Sequence, residues 1–106
     1  MSEITETRME SAMRYLAESD QEFAQEKAQV ERSEILRKRI RARLFLVATG
    51  TVAERQAQAE IDPEAEQADG DYCKTIASFE TLKARRQRAE LVIDVWRSLE
   101  ASRRKT

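Results

Sequence analysis

Turn-forming residues are almost missing from this chain, and that shortage constrains its fold more than anything else. Gly occurs twice, at 50 and 70, and Pro once, at 63, in 106 residues. Glycine and proline are the residues that most often let a backbone stop or reverse. A chain this short of them, and rich in Ala, Glu, Arg, Gln and Leu, reads as long helices or coiled coil. Aromatic residues make up only 6%, so too few large side chains exist to fill a spherical core. Burial is expected along a seam between helices or between chains.

Local signals place the helix ends. Thr5, or Ser2 with Glu6 close behind, suits the start of a first helix. Met9, Met13, Leu16, Phe23 and Val30 then follow steps of three and four, with Asp20 and Lys27 filling two slots of that register. The stripe restarts as Leu36, Ile40, Leu44 and Val47. Gly50 suits the position after a helix end, where φ is often positive. Thr51-Val52-Ala53-Glu54 has the spacing of a capping box: the Thr hydroxyl accepts from the third helical amide, and the Glu carboxylate reaches back to the cap amide. Asp62-Pro63-Glu64 is a helix start, with Asp as cap and Pro at the first helical position. The expected helices are therefore 1–48, 51–61 and 63–103, forming a single domain over 1–106, with Asp69-Gly70-Asp71 as a candidate break. Tyr72, Ile76, Phe79, Leu82, Ala89, Ile93, Trp96 and Leu99 make the stripe of the last helix.

Charge selects the pairing. Net charge is only −1, but residues 1–31, 32–43, 44–72 and 73–106 carry −5, +5, −6 and +5. Folding back near residues 50–60 sets the acidic N-terminal third beside the basic C-terminal third, and basic 32–43 beside acidic 60–71. Each exposed pair contributes little, typically under about 1 kcal/mol. Their summed sign still disfavours the parallel alternative. The expected fold is all-α: an antiparallel, coiled-coil-like hairpin of two long helices with a short helix at the bend. An antiparallel homodimer satisfies the same pattern.

Chemistry-bearing residues are sparse. Histidine is absent, which removes the commonest general base and metal ligand near neutral pH. Cys73 is alone, so no internal disulfide forms, and no zinc site of the usual kind or Cys-His nucleophile can be assembled. No Gly-rich phosphate loop is present. Neither catalytic nor cofactor-binding nor metal-binding residues are assigned, and no small-molecule substrate is expected. The longest apolar run is Leu44 to Ala48, too short to span a bilayer. The acidic N-terminus lacks a signal-peptide pattern. A soluble cytoplasmic protein is the default expectation.

Two features point to binding. Leu91, Val92, Val95, Trp96 and Leu99, with Ile93 among them, cover more of a helix than the roughly 100° one neighbour usually buries. This band is the expected surface for a protein partner or for a homo-oligomer. Trp96 beside Arg97 is core at this spacing, or a partner surface where its face is exposed. The second feature is a pair of basic clusters. Arg37, Lys38, Arg39, Arg41 and Arg43, preceded by Arg32, form one; Lys83, Arg85, Arg86 and Arg88 form the other. Helical arginines at such steps can follow a phosphate backbone. The preferred reading is that they pair with the matching acidic blocks of the same chain.

The run Tyr72…Phe79-Glu80-Thr81-Leu82-Lys83-Ala84-Arg85-Arg86…Ala89-Glu90…Ile93-Asp94-Val95-Trp96-Arg97-Ser98…Ala101-Ser102-Arg103-Arg104, with the Gly50-Thr51…Glu54-Arg55 bend, resembles small helical proteins encoded by tailed phages and prophages. Those reading frames often lie among early genes for recombination or replication. The resemblance covers about a third of the chain and carries no catalytic residues over. It implies a phage accessory protein in the host cytoplasm, acting on nucleic-acid metabolism or on a host protein. The leading expectation is a non-enzymatic interaction protein that engages a DNA-processing protein or complex. Direct nucleic-acid binding through the arginine clusters is the alternative, and a structural coiled-coil adaptor is a third.

Overall fold

A computed structural model describes residues 4–105. It is an all-α antiparallel helical hairpin: α1 spans Glu6–Val47, α2 at the bend spans Val52–Ile61, and α3 spans Pro63–Arg104. Two compact units divide it. The end unit joins residues 4–24 to 80–105, and the bend unit is Gln25–Phe79.

The helix ends follow local chemistry. Thr5 Oγ1 accepts from the Arg8 amide at 3.2 Å, so Thr5 caps α1; Ser2 lies outside the described residues. Gly50 has φ +114°, and α1 stops just before it. Thr51 caps α2, its hydroxyl accepting from the Glu54 amide at 3.2 Å. The Glu54 carboxylate accepts a hydrogen bond from the Thr51 hydroxyl, also at 3.2 Å, in place of the cap amide expected from the spacing. Asp62 Oδ1 accepts from the Glu64 amide at 2.8 Å, and Pro63 opens α3. Carbonyls at and just past the end of α1 find partners on α2. Arg55 Nε donates to Phe45 O at 3.1 Å, and Gln58 Nε2 donates to Thr49 O at 2.8 Å. Helix-end carbonyls have no intrahelical donor, so these side chains tie α2 to the end of α1.

The candidate break at Asp69-Gly70-Asp71 is not one: α3 runs through it. Asp69 is held by arginines of α1, and Asp71 accepts from Gln67 Nε2 one turn back at 3.0 Å. The helix therefore tolerates the glycine. The two glycines predict opposite responses to alanine. At Gly50 a Cβ would lie 2.6 Å from Glu54 Oε2, in a backbone conformation that L residues rarely adopt. Gly50→Ala is expected to cost about 1–3 kcal/mol. At Gly70 a Cβ meets nothing within 4 Å, and Gly70→Ala is expected to stabilise by about 0.5–1 kcal/mol. Thermal melts followed by circular dichroism would expose the idea as wrong if both changes shifted Tm the same way.

Both cores are thin, each setting one or two larger apolar residues against alanines. In the end unit Met9 and Ala12 of α1 meet Ala89 and Ile93 of α3, flanked by Tyr15, Leu16, Val92 and Trp96. In the bend unit Leu44, Ala59 and Ala65 draw one residue from each helix, with Ile40 and Phe45 beside them. Polar side chains also sit at seam positions. Ser33 Oγ and Thr75 Oγ1 share a hydrogen bond of 2.8 Å, and Ser78 Oγ donates to Glu26 Oε1 at 2.9 Å. Three residues of the expected α1 stripe, Met13, Leu36 and Val47, are turned outward. Ala12, Ser19 and Ser33 occupy the seam instead, because small side chains let the helices approach closely and bulky ones at those positions would hold them apart.

Candidate interaction surfaces

The first basic cluster splits between the bend unit's interior seam and its outer face. Arg41 holds two acids at once: Nε donates to Glu60 Oε1 at 2.9 Å, Nη1 to Asp69 Oδ1 at 2.7 Å and Nη2 to Asp69 Oδ2 at 2.5 Å. Arg37 Nε donates to Asp69 Oδ1 at 3.1 Å, and its guanidinium lies 4.9 Å from the Tyr72 ring centre. Arg43 pairs with Glu64, and Lys38 with Glu34 one turn back on α1 at 3.2 Å. Arg39 is exposed and makes no ion pair among the described residues. Basic 32–43 thus lies beside acidic 60–71 within one unit, and most of this cluster neutralises the chain's own carboxylates.

This arrangement shifts proton affinities. The Arg41 hydrogen bond, aided by that of Arg37 and opposed by desolvation, lowers the Asp69 carboxyl from 3.8 to about 2. The same contacts, Asp69 first and then Glu60, raise Arg41 above its ordinary value, and Glu64 raises Arg43. A carboxylate with a depressed pKa stabilises the fold fully above its unfolded-state value and loses that contribution as pH falls through the folded value. The advantage of wild type over Asp69→Asn should accordingly shrink between about 3.8 and about 2. Paired melts across that window test it; a constant gap would show that Asp69 is not the titrating group.

The second cluster also divides. Arg86 crosses the end-unit seam: Nη1 donates to Leu16 O at 2.9 Å and to Ser19 Oγ at 2.7 Å, and Nη2 to Asp20 Oδ1 at 2.7 Å. Its guanidinium stacks 4.9 Å from the Phe23 ring centre. Lys83, Arg85 and Arg88 face outward and make no ion pair among the described residues. Ser19, which completes the Arg86 network and donates to Tyr15 O at 2.7 Å, carried no sequence signal beyond its place three residues after Leu16.

The apolar band of α3 divides as well. Ile93 is buried, and Val92 and Trp96 pack against the cluster of Met9, Ala12, Ala89 and Ile93. Val95 is half-buried, while Leu91 and Leu99 are exposed. On α1, Met9 and Ala12 are buried in the same cluster, and Tyr15 and Leu16 pack against it. The larger set of exposed apolar side chains is elsewhere: Ile35, Leu36, Leu46, Val47, Val52 and Ile61 all belong to the bend unit. A recess of about 200 Å³ there is lined by Glu26, Gln29, Lys74, Thr75 and Ser78. Cys73 is exposed. Among the described residues no helix is long and apolar enough to cross a membrane. Set against known proteins, the chain matches no family model, no curated protein and no solved structure.

Proposed function

We propose that this chain is a non-enzymatic interaction protein that acts through its exposed helix faces. The observation that carries this reading is a division of labour among side chains. Arg37, Arg41 and Arg86, three of the candidate phosphate contacts, are committed to intrachain partners. Leu36, Leu46, Val47 and Leu91 meanwhile stand in water. Apolar surface facing solvent lowers its free energy when a partner covers it. The phage resemblance of the C-terminal third supports a DNA-processing protein or complex of the host as that partner. Affinity capture from host lysate with wild type, Leu36→Glu and Leu91→Glu tests the reading. A DNA-processing protein is expected with wild type and lost with one of the variants; retention by both variants would contradict it.

Direct nucleic-acid binding is the second reading, favoured by the outward Arg39, Lys83, Arg85 and Arg88. Three phosphate contacts from Lys83, Arg85 and Arg88 would give a log-log salt slope of roughly −2 to −3. The expected result is weak retention of a labelled oligonucleotide. A tight, salt-sensitive complex abolished by replacing Lys83, Arg85 and Arg88 would reverse the order of the two readings.

A further inference from the structure

We propose that the outward face of α1 in the bend unit docks, antiparallel, on the outward face of the N-terminal α1 segment of a second copy of this chain. The inference rests on the reading that the protein works through exposed helix faces. In the bend unit Arg32, Leu36, Arg39 and Arg43 follow one another at steps of four, three and four, and all four are exposed. In the end unit Glu6, Glu10, Met13 and Ala17 follow at the same steps, and all are exposed too. Steps of three and four keep side chains on one helix face.

Run in opposite directions, the two ladders match rung for rung. Glu6 falls opposite Arg43, Glu10 opposite Arg39, Met13 opposite Leu36, and Ala17 opposite Arg32. Two carboxylates meet two guanidiniums, a thioether meets a leucine, and the small Ala17 leaves room for the apolar stem of an arginine. Neither Glu10 nor Arg39 has an ion-pair partner among the described residues. Arg43 already holds Glu64, yet its side chain remains 54% exposed, so it can donate to a second carboxylate. Charge also selects against the simpler alternative. Pairing the bend-unit face antiparallel with its own copy sets Arg32 opposite Arg43 and crowds Arg39 into the same basic strip, which repels. A contact of about three helical turns lies at the small end of specific interfaces, so association is expected at micromolar concentrations.

Sedimentation of the full chain over a concentration series at low salt tests the proposal. Wild type is expected to self-associate. Arg39→Glu and Glu10→Arg should each weaken association about ten-fold, because each turns an attraction into a repulsion. The double variant Glu10→Arg/Arg39→Glu should regain the wild-type constant. Both positions are exposed and without intrachain ion pairs, so helicity should be unchanged, and circular dichroism verifies this. Leu36→Glu provides a charge-independent check and should also weaken association. A wild type that stays monomeric at high micromolar concentration overturns the proposal, as does a double variant that fails to recover. Association lost in Leu91→Glu but untouched by Arg39→Glu overturns it too, by assigning the contact to α3. A monomeric result removes this contact alone; the broader binding reading stands or falls on the lysate and oligonucleotide experiments.

Discussion

Arg86→Ala is expected to lower the stability of the end unit by about 2–3 kcal/mol, which corresponds to a fall of roughly 10 °C in Tm for a chain of this size. The side chain is only 15% exposed and reaches across the seam from α3 to α1. Its ion pair with Asp20 contributes little of this, because the Asp20 side chain is 69% exposed and screened by water. The larger part comes from Nη1, which satisfies Leu16 O and Ser19 Oγ within the seam, and from the stacked contact with Phe23. Truncation strips donors from groups that water reaches poorly, and leaves a gap where the stem and guanidinium lay. Arg86→Lys should recover only part of the loss. A single ammonium on a flexible stem cannot reproduce a planar fork that reaches three acceptors while lying on a ring. Combining Arg86→Ala with Ser19→Ala should cost less than the sum of the two, since they share one hydrogen bond. An Arg86→Ala variant within about 0.5 kcal/mol of wild type, the usual range for surface substitutions, would show that this arginine is a surface residue after all.

Leu44→Ala should have an effect of similar or greater size in the bend unit, about 2–4 kcal/mol. Leu44 is 8% exposed and packs against Ala59 of α2 and Ala65 of α3. Ala65 is 0% exposed, and neither alanine can extend to fill the space a leucine leaves. The cavity therefore persists and adds to the lost transfer free energy. Because this cluster is where α2 meets both long helices, amide exchange across Val52–Ile61 should accelerate more than across the rest of the chain. Leu46, two residues along the same apolar run, is the control: it is 73% exposed, and Leu46→Ala should change stability by less than about 0.5 kcal/mol. Equal losses from the two substitutions would mean that the seam of α1 is not where the structure puts it.

The contrast between Leu44 and Leu46 shows where sequence reasoning loses its grip. The run Leu44 to Ala48 is uniformly apolar, so composition does not say which of its members faces inward. The same holds for the arginines. Arg37, Arg39 and Arg41 alternate along α1, and only contact with Asp69 and Glu60 on other helices sets the first and third apart from the second. Arg86 looked like its neighbours Arg85 and Arg88, and nothing nearby in the chain marks it for the seam.

What the sequence by itself determined is what depends on neighbours within about one helical turn. The stop before Gly50, the Thr51 cap and the Asp62-Pro63 start are local hydrogen-bonding and backbone matters. The antiparallel sense was also legible, because blocks of opposite charge add their small preferences over many residues. What only the tertiary structure decided is the facing of individual side chains. A seam this thin is lined by Ala12, Ala59, Ala65 and Ala89 with Ser19 and Ser33, so apolar periodicity marks it weakly, and Met13, Leu36 and Val47 could turn outward. Each of those choices is made by a helix dozens of residues away. It is settled by close approach and by the pairing of polar groups, and neither is written in the spacing of hydrophobic residues along one helix.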